Sequence, residues 1–331
     1  MTGRSAGSPD ARGGEAGPSP ATGSPHRYDS PTLVAGGVEL VLDRPVLMGV
    51  VNATPDSFSD AGRHPTTEAR LALVDEMVEE GASIIDVGGE SGVTGVPPVD
   101  AEEETRRILP LIEVVRARHP GLVISVDTYK PTVAAVALAA GAAIVNDISG
   151  LLNPELADVT AAHGGALVVM HTRAPPKEKL TDPGAYTDVV DDVRSFLEEK
   201  VAEAIGRGVA PESIIVDPGP DFAKTPHQTV EVLRHLHDVN PEGRPLLLAI
   251  SRKDFIGAVT STPPEDRAEG TLAALAALVA PGRIFRVHDV RGAARFLRVL
   301  DALEGRLDVA EGLLLPPRLR RTRASPASSP S

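Results

Sequence analysis

Eight short apolar runs in this chain each end in polar side chains able to do chemistry. Asn52 closes the first, Asp86 and Glu90 lie at and after the second, Asp127 closes the third, Asn146 and Asp147 the fourth and His171 the fifth. Asp217 closes the sixth, Ser251, Arg252 and Lys253 the seventh, and Arg286 and His288 the eighth. A single aspartate after a strand is usually a turn former or a helix cap, whereas the same placement after every run points to a binding mouth. Asp127, Asn146, Asp217 and Lys253 offer opposed donors and acceptors, as a flat heterocycle bearing amino and oxo groups requires along its edges. Arg286 and His288 alternate as Arg-Val-His, so a strand turns both to one face as a cationic corner suited to phosphate oxygens. The competing reading pairs Arg286 with a neighbouring acid such as Glu90.

The elements that must position these residues follow from the apolar pattern. Runs at 46–51, 83–87, 122–126, 143–145, 166–170, 213–216, 246–250 and 284–287 lack polar alternation, as do parallel strands buried on both faces. Helical spacing of apolar positions follows most of them, for example over 67–80, 101–118, 131–140, 187–207 and 291–303. Eight such units predict an α/β fold, a closed (β/α)8 TIM barrel forming one domain over residues 32–308, with its chemistry at the C-terminal ends of the strands. An open doubly wound sheet is the alternative, but no GxGxxG follows the first strand. Residues 33–41 read as a hairpin turning at Gly36-Gly37, placed to plug the bottom of the barrel.

Composition bounds the rest. The 331 residues include no cysteine, so disulfides, thiolate metal sites and a cysteine nucleophile are excluded, and a cytoplasmic setting is the expectation. With 46 acidic against 33 basic side chains the formal charge is −13, which disfavours nucleic acid and anionic membrane as partners. No apolar stretch approaches the roughly 20 residues of a membrane span. Residues 1–31, poor in large apolar side chains, and residues 309–331 read as disordered tails, the second made basic by four arginines.

The motifs that carry these residues resemble those of the dihydropteroate synthases. The segment Val51-Asn52-Ala53-Thr54-Pro55-Asp56-Ser57-Phe58 is similar to the first signature of that family, and Asp86-Val87-Gly88-Gly89-Glu90-Ser91 to the second. Ser125-Val126-Asp127, Asn146-Asp147-Ile148, Asp217-Pro218-Gly219, Phe222 with Lys224, Ser251-Arg252-Lys253 and Arg286-Val287-His288 follow in order, within roughly residues 40 to 304. The resemblance implies a transferase of folate biosynthesis that joins 6-hydroxymethyl-7,8-dihydropterin diphosphate to p-aminobenzoate with release of diphosphate. It implies that Asp127, Asn146, Asp217 and Lys253 hold the pterin, with Met170 as an apolar neighbour. Asn52, Arg286 and His288 would hold the diphosphate, and Asn52 would be the protein ligand to Mg2+. Lys253, Arg286, His288 and Asp56 take the catalytic roles, Asp56 on a first loop over 56–62. A homodimer is implied, to which the apolar stretch 272–279 is suited.

Departures from the family pattern fall on the acceptor pocket, which the resemblance assigns to Phe222, Lys224, Asp254 and Val93. Gly92-Val93 stand where the family has Thr-Arg, and valine supplies neither charge nor donor. Asp254 stands where the family has a serine at a helix start, and a charge capping that helix would repel an incoming carboxylate by roughly 1–4 kcal/mol at 4 Å. Pro220-Asp221-Phe222-Ala223 replace Phe-Gly-Phe-Gly. This selective pattern resembles a divergent second actinobacterial branch of the family. Three alternatives stand beside the synthase: a pterin-binding paralogue with lost or altered acceptor activity, a pterin-dependent methyltransferase, and a metallohydrolase using Asp86, His171, Asp217 and His288 as ligands.

Overall fold

The computed structural model describes residues 31–54, 66–92, 95–240 and 242–320. Most of the two expected tails, the expected first loop with Asp56, and Val93 lie outside the described residues. Eight parallel strands close into a barrel: β3 (Val46–Asn52), β4 (Ile84–Gly88), β5 (Val123–Asp127), β6 (Ile144–Asp147), β7 (Ala166–Met170), β8 (Ile214–Asp217), β9 (Leu246–Leu248) and β10 (Arg283–Val287). The strands pair in chain order, and β10 returns to pair with β3. Helices lie between successive strands, among them α1 (Thr67–Glu79), α2 (Ala101–Arg118), α5 (Val189–Gly206), α8 (Asp254–Thr260), α9 (Ala268–Leu278) and α10 (Val290–Leu303). The (β/α)8 barrel expected from the alternation of apolar runs and helical spacing is the observed fold.

Strands β3, β5 and β8 run one residue further than their apolar stretches, into the polar residue at the end, and β6 runs two further, through Asn146 and Asp147. Asn52 pairs with Gly88, Gly88 with Asp127, and Asp127 with Asn146, so these ends stand side by side on adjacent strands. Met170 and Asp217 are matched in the same way between β7 and β8. The ladder itself therefore sets the spacing of the polar residues, because hydrogen-bonded neighbours in a sheet stand about 4.8 Å apart. Helix starts are set by caps. Thr66 and Asp100 accept from backbone N–H groups three residues on, at 3.2 and 2.8 Å. Asp188 accepts from Val190 and Asp191, which starts α5 at Val189 rather than at the expected residue 187.

A hairpin seals the other end. Strands β1 (Thr32–Ala35) and β2 (Val38–Val41) pair through the Gly36-Gly37 turn, whose φ values of 55° and 79° suit glycine. A Cβ on Gly36 would lie 2.9 Å from that of Ala143, so only glycine lets the turn sit this close to β6. Leu33, Ala35 and Leu42 pack fully buried against Met48, Ile84, Ile144 and other inward side chains at the bottom of the barrel. The apolar groups beneath the barrel supply stability, and the mouth above is left to polar residues. Leu33→Ala should lower the free energy of unfolding by about 2–5 kcal/mol in urea titrations followed by circular dichroism. A change under about 1 kcal/mol would mean that the hairpin does not seal the core.

Candidate functional site

Arg286, near the end of β10, reaches across the barrel mouth to two carboxylates. Its Nε donates to Asp86 Oδ2 at 2.6 Å and a terminal nitrogen donates to Asp127 Oδ2 at 2.8 Å. Asn146 Nδ2 donates to the same Asp86 oxygen at 3.0 Å. Asp86 is fully buried, so it joins the strands β4, β6 and β10 through charge rather than through apolar packing. Burial opposes the charge on Arg286, but Asp86 and Asp127 more than offset it and raise the guanidinium pKa. Burial raises the Asp127 carboxyl well above the ordinary range; Arg286 pulls it back, and Asp86, Glu104 and Glu90 push it further up. Arg286 is thus paired, as the competing sequence reading held, but with Asp86 and Asp127. Glu90 is taken by Lys130 and Lys177.

Asp217, at the end of β8, is 2% exposed and accepts from the Gly219 N–H at 2.7 Å. Burial raises its carboxyl to about 6, although that backbone bond and the nearby Lys253 act to lower it. Gly219 is required where it stands: its φ is 64°, and a Cβ would lie 2.0 Å from the His171 carbonyl oxygen. The same loop is held from within by Lys224, whose Nζ bonds to His171 Nδ1 at 2.7 Å and to the carbonyls of Gly219 and Phe222 at 2.9 and 3.1 Å. Lys224 is 2% exposed, and burial lowers its ammonium to about 7. His171 Nε2 lies 3.1 Å from Asp192 Oδ1, and burial keeps this imidazole neutral, with its pKa lowered to about 2.

Lys253 precedes α8, and its Nζ lies 4.3 Å from the centre of the Phe222 ring. Burial lowers its ammonium pKa, against the pull of Asp221 and Asp217. Ser251 Oγ stands 3.0 Å from His288 Nδ1 and orients that ring. Burial, followed by the charges of Arg286, Arg252 and Lys253, lowers His288 to about 3. His288 is therefore a neutral imidazole at pH 7, and Arg286 alone carries the charge in the corner expected to be doubly cationic. Asp254 begins α8 without capping it. Its carboxylate pairs with Arg267 at 3.0 Å and Lys179 at 2.9 Å, and the bond from Lys179, ahead of burial, holds its pKa low.

Asp127, Asn146, Asp217, Lys253, Arg286 and His288 thus stand at the strand ends around one mouth. Met170 is 1% exposed at the end of β7 beside Asp217. Phe222 lies against Lys253, Asp254 sits at the exposed start of α8, and Lys224 is enclosed in the loop after β8. Sequence reasoning gave Asp86 a role only as a metal ligand in the metallohydrolase alternative and missed its pairing with Arg286. Its signal was legible: a carboxylate in the apolar run Ile84–Gly88 needs a cation when both strand faces are buried. Ser251 had no such signal, because its partner comes from a different strand.

Among the described residues, no group of three His, Cys, Asp or Glu side chains is placed to hold a metal ion. In the metallohydrolase ligand set, His171 is engaged by Lys224 and Asp192, and Asp86 by Arg286 and Asn146. Asn52 supplies an amide oxygen at this rim, 3.9 Å from where a Cβ on Gly88 would stand. One amide oxygen beside a glycine fits an ion that keeps most of its shell in water and substrate phosphate, as Mg2+ does.

Comparisons with known proteins place the chain in a family. A family model described as pterin binding enzyme matches residues 48–288. The dihydropteroate synthase of Bacillus subtilis (strain 168) is 43% identical over 272 residues, spanning 82% of this chain and 92% of that protein. The inactive dihydropteroate synthase 2 of Mycobacterium leprae (strain TN) is 39% identical over 274 residues, spanning 81% of this chain and 94% of that protein. The structure of Xanthomonas albilineans dihydropteroate synthase with 4-aminobenzoic acid aligns with a TM-score of 0.75 at 40% identity, covering 83% of this chain and 98% of that one.

Replacing Asp86 removes the acceptor of two buried donors and leaves Arg286 with Asp127 alone. Asp86→Ala should destabilise the chain by about 3–5 kcal/mol in urea unfolding, as expected when one partner of a buried ion pair is lost. A loss near zero would show that Asp86 does not hold the strand ends together.

Proposed function

Because the chain belongs to the pterin-binding enzyme family, we propose that it is a dihydropteroate synthase-type transferase of folate biosynthesis, acting on a dihydropterin diphosphate and an arylamine. The observation that carries this reading is the ring of Asp127, Asn146, Asp217 and Lys253 at one mouth, with Arg286 crossing it. A pterin edge presents ring N–H and amino donors beside ring-nitrogen and oxo acceptors. The carboxylates of Asp127 and Asp217 accept from the donors, and Lys253 and the Asn146 amide serve the acceptors. Phe222, Lys224, Asp254 and Val93 remain the assignment for the acceptor side, and Asp56 for the first loop.

In the reaction the bond between the pterin methylene carbon and the diphosphate oxygen breaks, and the arylamine nitrogen forms the new C–N bond and loses a proton. Arg286 and the N–H of His288 receive the departing oxygens, with His288 oriented by Ser251. Asn52 would hold Mg2+, which when bound supplies charge to stabilise the leaving group. Burial of Asp217 and Lys253 excludes water from the ring's edge and strengthens each polar contact. We further infer a homodimer in the cytoplasm. The apolar helix α9 buries only Thr271 and Leu275, and Val259, Val299 and Leu303 on the adjoining helices α8 and α10 are exposed. The chain's lack of cysteine fits a reducing compartment.

A second reading is favoured by Gly92-Val93, by Asp254 and by the inactive mycobacterial relative: a barrel that binds pterin but does not use p-aminobenzoate. Diphosphate release from the dihydropterin diphosphate, with Mg2+ and with or without p-aminobenzoate, separates the two. The synthase reading expects release that depends on p-aminobenzoate and yields dihydropteroate. Pterin binding without release in both wild type and Asp254→Ser would leave the second reading standing.

Asp217 also sets a pH dependence. Its carboxylate form, needed to accept from the pterin, predominates above about 6 and is lost as pH falls through that value. Asp127, raised to about 7, titrates in the same window. Pterin affinity should therefore fall between pH 7.5 and pH 5, by at least about tenfold per unit once below 6. An affinity flat across that range would remove both carboxylates from the ring-binding set.

A further inference from the structure

The loop that follows β7 holds a lysine in a backbone conformation that side chains rarely adopt. Lys177 has a φ of 72°, and such a residue persists only where the surrounding contacts over-determine it. Its ammonium donates to the Ser91 carbonyl and pairs with Glu90 at 3.2 Å, with 13% of the side chain exposed. Glu90 also receives Lys130 Nζ at 2.5 Å, the Tyr129 hydroxyl at 3.1 Å and the Val99 N–H at 3.1 Å. Burial would raise its carboxyl, yet the bonds from Lys130 and Val99 and the nearby lysines hold it below the usual value. Lys130 pairs in turn with Glu104, which is 1% exposed.

These four side chains balance, with Lys130 and Lys177 matching Glu90 and Glu104. The balance matters because of its place. Glu90, Ser91, Gly92, Tyr129, Lys177 and Asp127 line one narrow cleft. On the other side of Asp127, Asp86 and Asp127 share the single cation Arg286. Without Lys177 the glutamates would leave an unmatched negative charge at the cleft, next to a carboxylate pair already short of one cation. An anion entering there would be repelled at short range in a low-dielectric site, and a neutral ligand would not. Neither Arg173 nor Lys179 is placed in this balance: Arg173 pairs with Asp192 and lies over Tyr186, and Lys179 pairs with Asp254.

We infer that Lys177 is a positioning residue that fixes the start of the loop after β4 and balances its glutamates, so that an anionic substrate can lie beside Asp127. This rests on the proposed function, which supplies two such anions, the pterin's diphosphate and the arylamine's carboxylate. The strained backbone is the cost of bringing a cation from the β7 loop to a loop whose own residues Gly92 and Val93 carry none. Lys177→Met removes the charge. Lys177→Gly removes it and also relieves the strain, because glycine accepts this φ without penalty. Lys177→Arg keeps the charge.

Calorimetric titration of the full chain with Mg2+ tests this using two pairs of probes. The first is 6-hydroxymethyl-7,8-dihydropterin diphosphate against the same pterin without diphosphate. The second, with that pterin and inorganic diphosphate present, is p-aminobenzoate against p-aminobenzamide. Lys177→Met and Lys177→Gly should each weaken at least one anionic probe by about tenfold and leave its neutral counterpart within twofold. Lys177→Arg should restore binding to within threefold. Loss confined to the pterin diphosphate assigns the effect to the leaving group, and loss confined to p-aminobenzoate assigns it to the acceptor. Equal loss for charged and neutral probes, no loss, or failure of Lys177→Arg to restore binding would overturn the inference while leaving the proposed function standing, since the wild-type chain still binds both pterin probes. A wild-type chain that binds neither pterin probe would overturn the proposed function, and this inference with it.

Discussion

The mouth of this barrel is organised around one buried ion cluster, in which the Arg286 guanidinium bridges Asp86 and Asp127 while Asn146 shares the Asp86 carboxylate. Removing these charges from water is costly, and their attraction repays that cost only when each group is held by partners of good geometry. The closed sheet supplies that geometry. Asp86, Asp127 and Asn146 occupy successive strands, and Arg286 lies on β10, which adjoins β3 and so completes the circuit. The cluster would lose its geometry if the strand order or register changed. Asp127, Asn146 and Arg286 are also proposed to meet the pterin and the diphosphate, so the buried Asp86 holds in place groups that recognise substrate.

Stability and recognition are divided between the two ends of the barrel. The hairpin β1–β2 covers the lower opening with Leu33, Ala35 and Leu42, an apolar contact that needs no directional partner. At the upper end the loops after β7 and β8 are built from directional bonds. Lys224 ties the β8 loop to His171, and the Tyr186 hydroxyl donates to the Ala223 carbonyl. Positive φ values at Gly219, Asp221 and Ala223 show how tightly this loop is folded. Such a loop places Asp217 and Phe222 with little freedom, which favours binding of a rigid planar ligand.

The departures from the family pattern are absorbed by charges from elsewhere in the fold. Asp254 faces Arg267 from the start of α9 and Lys179 from the β7 loop, so its carboxylate is matched by two cations rather than aimed at the helix terminus. Both Lys179 and Asp254 are about half exposed, and such pairs are weak and exchangeable in water. A carboxylate arriving at this rim would therefore meet cations as well as Asp254. The loop after β7 bears on both altered regions, through Lys177 on one side and Lys179 on the other.

Much of this protein was legible in its sequence. Apolar runs without polar alternation, separated by helical spacing, determined a parallel barrel, since only strands buried on both faces tolerate such runs. The glycines at 36 and 37 determined the hairpin turn, and polar residues at every run's end determined which face carries the chemistry. Tertiary structure decided the pairings. Nothing local indicates that Arg286 meets Asp86 and Asp127, that Ser251 orients a neutral His288, or that Lys177 serves a loop 86 residues away. The reason is physical. Backbone propensity and apolar periodicity act over a few residues and are written along the chain, whereas a charge takes its partner and its pKa from whichever groups the closed barrel brings within a few ångströms, and at what depth.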